Sequence, residues 1–543
     1  MRAQDQAAAE RQVETAPANH RWPPQVKYIV GNEACERFSY YGMKGILALY
    51  ITTVLLKTQD DATTIIALFS ALNYFMPLVG AWVSDRFWGR YHTILWISLS
   101  YCAGHAVLAT SDFVPTLEGK TWTLYAGLAL IAFGSGGIKP CVSAFMGDQF
   151  RPDQRHLLQK AYAAFYWSIN LGSFFSFLII PAIRKQFGYS WAFGVPGIFM
   201  AIATLIFWLG TKYYVRIPPA RVTKTAGFLR VFLSAHAAQG GLRLGSWLNL
   251  LTAIGIPLFA MAALAFVAFS RSKAPWLAWL NWTALGAIAV WYVLILVLSL
   301  SRRMEMPEGF WLSVQNRFSD TEIAAARSVS PILFVFALIP VFWALFDQTF
   351  STWVLQGAKM VPYRLGRWTI GPEEMLSANP LFVMLLIPVM TWGLYPLLGR
   401  LATPLRRMAA GMFLAALSYV VVAMLQSRIE AGAQLSILWQ ILPYIILTIA
   451  EVLVSTTGLE FAFREAAPQM KSTIMGFWNL TITMGNLMVV GFTRALAGEG
   501  AHDASVSSSR FLMYAALTFA VAILFSLVAA FYRYRDTAAA QGK

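Results

Sequence analysis

The stretches Thr93–Ser111, Thr121–Lys139, Tyr189–Thr211, Trp276–Ser301 and Pro380–Gly399 hold no charged residue between their ends. Each runs for roughly 18 residues or more, enough helix to cross the hydrocarbon core of a bilayer. A backbone amide cannot go unpaired in hydrocarbon, so each stretch must be helical. The whole chain, read this way, predicts fourteen apolar segments: 26–56, 62–84, 91–111, 121–147, 158–183, 189–212, 246–270, 276–301, 328–360, 378–399, 404–426, 434–463, 472–498 and 508–533. Composition agrees. Hydrophobic residues make up 58% of the 543 and charged ones 13%, against about 25% charged in a soluble domain. A soluble fold of this length could not hide so much apolar surface. The expected class is an all-α polytopic membrane protein.

The net charge of +16 could signal nucleic acid, but its distribution points to membrane topology. Arg86 and Arg90 follow the second segment, and Arg151, Arg155 and Lys160 the fourth. Lys212, Arg216, Arg221, Lys224, Arg230 and Arg243 fall between the sixth and seventh with no acid among them. Arg302, Arg303 and Arg317 follow the eighth, Arg400, Arg406 and Arg407 the tenth, and Arg533 and Arg535 close the chain. All lie on one side if the N-terminus is cytoplasmic. On the other side Lys57 is balanced by Asp60 and Asp61, Lys120 by Asp112 and Glu118, and Arg364 and Arg367 by Glu373 and Glu374. Arg184 and Lys185 are the exception. The bias predicts both termini in the cytoplasm and no nucleic-acid partner.

The segments group as six, two and six. This predicts an N-terminal bundle over 26–212, a basic linker with an inserted helix pair over 213–327, and a C-terminal bundle over 328–535, with tails at 1–25 and 536–543. The inserted pair, about 246–301, has no charge in its helix interiors and is expected to pack outside the core. Two equal bundles are the layout of many secondary transporters, with the site at the midplane. Residues 1–25 lack the apolar core of a secretory signal. Cys35, Cys102 and Cys141 are odd in number and far apart, so neither a disulfide framework nor a metal site is expected. An enzyme is not expected either. There is no HExxH or GxSxG, the histidines (His20, His92, His105, His156, His236, His502) are scattered, and Glu118-Gly-Lys-Thr121 has Val114 where a phosphate loop needs its first glycine.

An ionisable side chain deep in a membrane helix costs about 2.5–3.5 kcal/mol. This chain places Glu33, Glu36, Arg37, Lys139, Asp347 and Glu451 there. They must pair, line water, or both. Glu33, Glu36 and Arg37 are three and four apart and share a helix face, with Tyr40 and Tyr41 one turn on. One arginine neutralises one acid and leaves the other to take a proton; an ion pair that only locks two helices together is the plainer alternative. Lys139 lies in "GSGGIKPC", where Gly134, Gly136 and Gly137 permit close helix approach and Pro140 removes a backbone hydrogen bond and predicts a kink. Glu451 falls mid-segment, Glu460 toward its cytoplasmic end. Asp347 fits either a gating ion pair or a hydrogen-bonded structural acid. Asn73, Tyr74, Tyr166, Asn170, Asn379, Trp478 and Asn479 could line the same cavity, although such residues more often serve packing. Asp85, Arg86 and Arg90 have the spacing of a charged latch at a helix junction.

These pieces carry a resemblance. Glu33-Ala-Cys-Glu36-Arg37-Phe38-Ser-Tyr-Tyr-Gly, Gly80 to Arg90, Gly134-Ser-Gly-Gly-Ile-Lys139-Pro140 with Gly147-Asp148-Gln149-Phe150, Phe165 to Ser173, Phe342 to Gln348, Asn379-Pro380-Leu and Glu451 to Phe461 stand in order over roughly residues 27 to 490. The chain resembles the proton-dependent oligopeptide transporter family of the major facilitator fold, and the inserted pair resembles its bacterial members. The resemblance implies a proton-coupled symporter for di- and tripeptides in a bacterial inner membrane, working as a monomer among membrane lipids, with protons as coupling ion and no other cofactor. It implies that Arg37 and Lys139 meet the peptide carboxylate, that Glu33, Glu36 and Lys139 take part in proton coupling, and that Glu451 attracts the amino terminus. Tyr40, Tyr74, Asn170, Asn379 and Trp478 would line the pocket, and Asp85, Arg86, Arg90 and Asp347 would gate it. An amino acid, nitrate or a peptide-like drug is the alternative cargo. Two positions depart from the animal members: Ala67 replaces their second-helix histidine, and Pro331 their arginine partner for the Asp347 position.

Overall fold

The computed structural model describes residues 21–219, 226–238, 244–270, 274–301, 303, 305–366, 368–399, 402–497 and 505–534. His20, Arg221, Lys224, Arg243, Arg302, Arg367, Arg400, His502, Arg535, residues 1–20 of the expected N-terminal tail and all of the expected C-terminal tail lie outside the described residues.

Helices account for nearly all of the described secondary structure, beside a hairpin of Tyr363–Leu365 and Trp368–Ile370, turning at Gly366 (φ 62°), and a β-bridge of Val361 with Ser436. By length and apolarity, 11 of the described helices could cross a membrane, or 12 with one bent pair. The expected fourteen exceeds this for two physical reasons. Val26–Leu49 carries Glu33, Glu36, Arg37 and Lys44, so apolarity alone does not select it. Gln59–Phe113 ranks as one 55-residue stretch, yet it is broken at Gly89, whose φ of 72° and ψ of 161° no helix allows. The bent pair is Asp320–Phe336 with Pro340–Gly357, at 48° to each other. It starts earlier than the expected 328 because Ser319 and Glu322 form a capping box that nucleates the helix.

Contacts divide the chain into two compact units: Met1–Ile46 with Met76–Val222, and Leu47–Phe75 with Thr223–Lys543. The first unit packs on small residues. A Cβ on Gly80 would lie 2.0 Å from the carbonyl oxygen of Gly137, and one on Gly134 would lie 2.5 Å from Cβ of Tyr101. The helix Leu117–Gly147 continues through Pro140. Gln149 ties its end to the loop beyond the sixth helix, donating to the Val215 carbonyl (3.1 Å) and accepting from the Val215 amide (2.9 Å).

In the second unit Leu47–Phe75 joins the C-terminal helices rather than the bundle it precedes in sequence. Asp60 accepts from the Ser505 amide at 2.7 Å, Thr483 donates to the Ala71 carbonyl at 3.3 Å, and Ala67 packs with Ala268, Ala344, Val489 and Val490. The inserted pair, Trp247–Phe269 and Pro275–Leu300, docks on the helix Lys471–Ala495. Asn281 donates to the Gly491 carbonyl (3.0 Å), and Arg494 to those of Val267 (2.8 Å) and Ala268 (3.0 Å). The short helix Phe228–Ala238 turns Phe228, Val231, Phe232, Ala235 and His236 inward and leaves Leu229, Arg230 and Leu233 exposed. Glu322 holds the start of this segment by accepting from the Ala226 amide (2.6 Å).

Candidate functional site

The helix Val26–Leu49 presents its charges along one buried stripe, because residues three, four and seven apart stack on one side of a 3.6-residue turn. Arg37 Nε lies 3.1 Å from Glu33 and forms a second ion pair with Glu36. Glu36 also accepts from Ser135 Oγ at 3.1 Å, which links the stripe to the helix of Lys139. The ring of Tyr40 is the hub. Arg37 lies 5.6 Å from its centroid, and Lys44 and Lys139 each 5.9 Å. Three cations around one phenol ring are held partly by its negative face. Glu33, Glu36, Arg37, Tyr40 and Lys44 are all buried, while Lys139 is half-buried. Three bases thus stand against two acids, and protonation of either glutamate raises the local positive charge by one.

The second unit carries an acidic counterpart. Glu451 ends the helix Ile441–Glu451, just before the widened turn Val452–Thr456. Such π-type turns often occur at functional sites. Glu451 accepts from Asn379 Nδ2 at 2.7 Å, and the same amide reaches Thr448 Oγ1 at 3.2 Å. Trp478 is buried in this unit, its ring 5.2 Å from Phe336 and 6.1 Å from Trp343, over Gly458 where a Cβ would meet the indole at 2.5 Å. Asp347 accepts from Asn486 at 2.6 Å. Tyr74 is half-buried and belongs to the second unit, unlike Tyr40. Asn170 donates to the carbonyl of Tyr166 in its own helix, and Asn479 likewise to Met475. Glu460 pairs with Arg407 (3.3 Å) and Arg464 (2.9 Å).

Of the three latch residues, Arg90 is engaged with both oxygens of Asp148, one at 2.6 Å. Asp85 and Arg86 are exposed on the widened turn Ser84–Trp88. Asp148 lies in a motif stretch of the sequence but carries no recognisable role there. The reading of the residues also passed over Lys44, Ser135 and the buried pair Ser39–His105, joined at 2.9 Å, with Tyr101 stacked on His105 at 5.2 Å. Lys44 had a signal, seven residues beyond Arg37 and hence on the same stripe. Ser135 and Ser39 had none. Ala67 sits in apolar packing with Ala268, Ala344, Val489 and Val490.

Among the described residues no three His, Cys, Asp or Glu side chains converge as a metal site, and Cys35, Cys102 and Cys141 are free thiols.

The family model described as the POT family matches residues 91–498. Solute carrier family 15 member 2 of Rattus norvegicus is 34% identical over 421 residues, covering 75% of this chain and 50% of that protein. Peptide transporter 3 of Caenorhabditis elegans is 34% identical over 421 residues, with coverage of 75% and 51%. The chain thus spans about half the length of the curated relatives it matches. A crystal structure of an auto-inhibited POT family peptide transporter aligns with TM-score 0.80 and 40% identity over 95% of this chain and 98% of the other. That of the POT family transporter PepTSo, solved in meso, aligns with TM-score 0.79 and 40% identity over 94% and 98%. The helical architecture, the ordered motifs and the family match agree: this chain belongs to the POT family.

Proposed function

We propose that this chain is a proton-coupled symporter that imports di- and tripeptides by alternating access, and not an enzyme. The observation that carries it is the cluster around Tyr40, where Arg37, Lys44 and Lys139 surround one ring and Glu33 and Glu36 both pair with Arg37. A short peptide is a zwitterion with fixed charge separation. Arg37 and Lys139 bind its carboxylate, and Glu451, held by Asn379, binds its ammonium. Side chains are largely ignored, because recognition rests on the two ends that every peptide has. Tyr40, Tyr74, Asn170, Asn379 and Trp478 line the path.

Proton uptake at Glu33 or Glu36 weakens that residue's hold on Arg37 and leaves the guanidinium to the substrate carboxylate. The empty carrier returns once the proton is lost on the other side. Moving one charge through 100 mV is worth about 2.3 kcal/mol, which is roughly fifty-fold accumulation, so one proton suffices. Asp85, Arg86, Arg90 and Asp347 act in gating, with the Arg90–Asp148 pair as the part that must open. The chain works as a monomer in a bacterial cytoplasmic membrane with both termini inside, and needs no cofactor besides the proton. Names of relatives containing "peptide transporter" support the substrate class.

Reconstituted liposomes test the proposal. An inward proton gradient is expected to drive labelled dialanine above its external concentration, and a protonophore to abolish this. Accumulation of nitrate, a free amino acid or a peptide-like drug, with none of dialanine, would transfer the assignment to those cargoes.

A further inference from the structure

The inserted helix pair contributes none of the residues proposed for the peptide site, and it walls a cavity of about 270 Å³ against the helices Asp320–Phe336 and Lys471–Ala495. The widened turn Leu251–Gly255 contributes three consecutive lining residues, Thr252, Ala253 and Ile254. Polar atoms of the lining are already engaged. Thr252 Oγ1 donates to the Leu248 carbonyl (2.7 Å), Thr481 Oγ1 to that of Trp478 (2.7 Å), and Trp291 Nε1 to that of Thr252 (2.7 Å). The wall therefore offers nothing to a polar ligand, and a water molecule would lack the two to four partners it needs. Close-packed proteins seldom tolerate voids of this size unfilled. The rim is open at Leu258, 64% exposed, and Leu229, 48% exposed, both apolar and within a chain that spans a bilayer.

Charge stands at one end. Arg230 is exposed beside Leu229. Arg303 is exposed just beyond the helix Pro275–Leu300, its carbonyl accepting from Asn249 at 3.5 Å, one turn before Thr252. The nearby acid Glu322 accepts from the amides of Ala226 and Ser319 and also acts on Arg230, and Glu305 pairs with Arg327 at 4.0 Å. An apolar slot with basic residues at its expected cytoplasmic end has the pattern of a site for anionic lipid.

We propose that this cavity holds one acyl chain of an anionic glycerophospholipid from the inner leaflet, with its headgroup at Arg230 and Arg303. The occupant touches the turn that carries Trp478: Phe336 lines the cavity and packs on Trp478, and Thr481 bonds that residue's carbonyl. The inserted pair is then a lipid clamp on the helix Lys471–Ala495, whatever the transported cargo.

Photolabelling tests it. The full chain is reconstituted in phosphatidylcholine vesicles doped with phosphatidylglycerol bearing a diazirine near the acyl terminus, irradiated and digested. Label on residues 251–261 is expected to exceed that on the exposed face of Leu385, Val389 and Trp392 by about tenfold, the ratio given by about 1.4 kcal/mol of site preference. Ala253→Trp fills the cavity from within and Leu258→Trp closes it at the rim; either is expected to remove the excess while leaving the control face labelled. Equal labelling of the two regions, or an excess that survives both substitutions, overturns the site. A diazirine phosphatidylcholine that labels as well as phosphatidylglycerol, or no loss in the Arg230→Gln/Arg303→Gln double variant, overturns the anionic headgroup assignment.

Discussion

Glu451→Gln isolates the acidic end of the proposed peptide clamp. The glutamine keeps an oxygen for Asn379, which donates to Glu451 at 2.7 Å, so the local bond survives and only the charge is lost. A charge-assisted hydrogen bond to a carboxylate is worth about 1.5–3 kcal/mol. At 1.36 kcal/mol per decade, that is about 12-fold to 160-fold in apparent affinity for a peptide with a free ammonium. The assay is competition against labelled dialanine in liposomes, with dialanine and its N-acetyl derivative as paired competitors. Wild type is expected to prefer the free amine by that margin, and Glu451→Gln to lose the preference while binding the acetylated peptide as wild type does. Equal losses for both peptides would refute contact between Glu451 and the ammonium. The residue would then serve packing through Asn379 and Thr448.

Arg37→Ala is expected to weaken dialanine and to spare its C-terminally amidated analogue relative to wild type, measured in the same competition assay. Gly80→Leu puts a side chain where even a Cβ lies 2.0 Å from a backbone oxygen; overpacking of this kind costs about 1–3 kcal/mol, and the Tm in detergent should fall, whereas Gly393→Ala, with nothing within 4 Å, should leave it unchanged. Glu460→Gln breaks an exposed pair with Arg464, worth less than about 1 kcal/mol, and a pair with the largely buried Arg407, which keeps its place over Tyr395 at 4.5 Å, so a fall in Tm should report mainly the Arg407 pair and uptake should hold.

Local periodicity made the stripe of Glu33, Glu36 and Arg37 legible, since one helix fixes which residues share a face. The same logic extended to Lys44, but its setting of "YYGMKGILALY" looks like ordinary apolar helix, and a lone lysine in such a run has snorkelling as its ordinary reading. Partners from other helices were out of reach. Ser135 on Glu36, His105 on Ser39 and Asp148 on Arg90 are separated by 99, 66 and 58 residues, and only packing brings them together. Most helices were plain from apolar length, the charged first one excepted, while boundaries followed local chemistry. The capping box at Ser319 pulled one helix eight residues earlier than its apolar run, and Pro340 marks the 48° bend that the run Pro331–Met360 does not reveal. Membership of Leu47–Phe75 in the second unit depended on Asp60, Ala67 and Ala71 finding partners in the C-terminal helices, which no local pattern announces.

Peptide-induced proton entry tests the coupling most directly. Liposomes carrying the protein, a trapped pH dye and no initial pH gradient receive external dialanine under an inside-negative potential. The interior should acidify in step with labelled peptide entry. Glu36→Gln should exchange peptide for peptide without acidification and without net accumulation. Peptide entry that leaves the dye unchanged in wild type, or acidification that persists in both Glu36→Gln and Glu33→Gln, would contradict a proton carried by the charge stripe of the first helix.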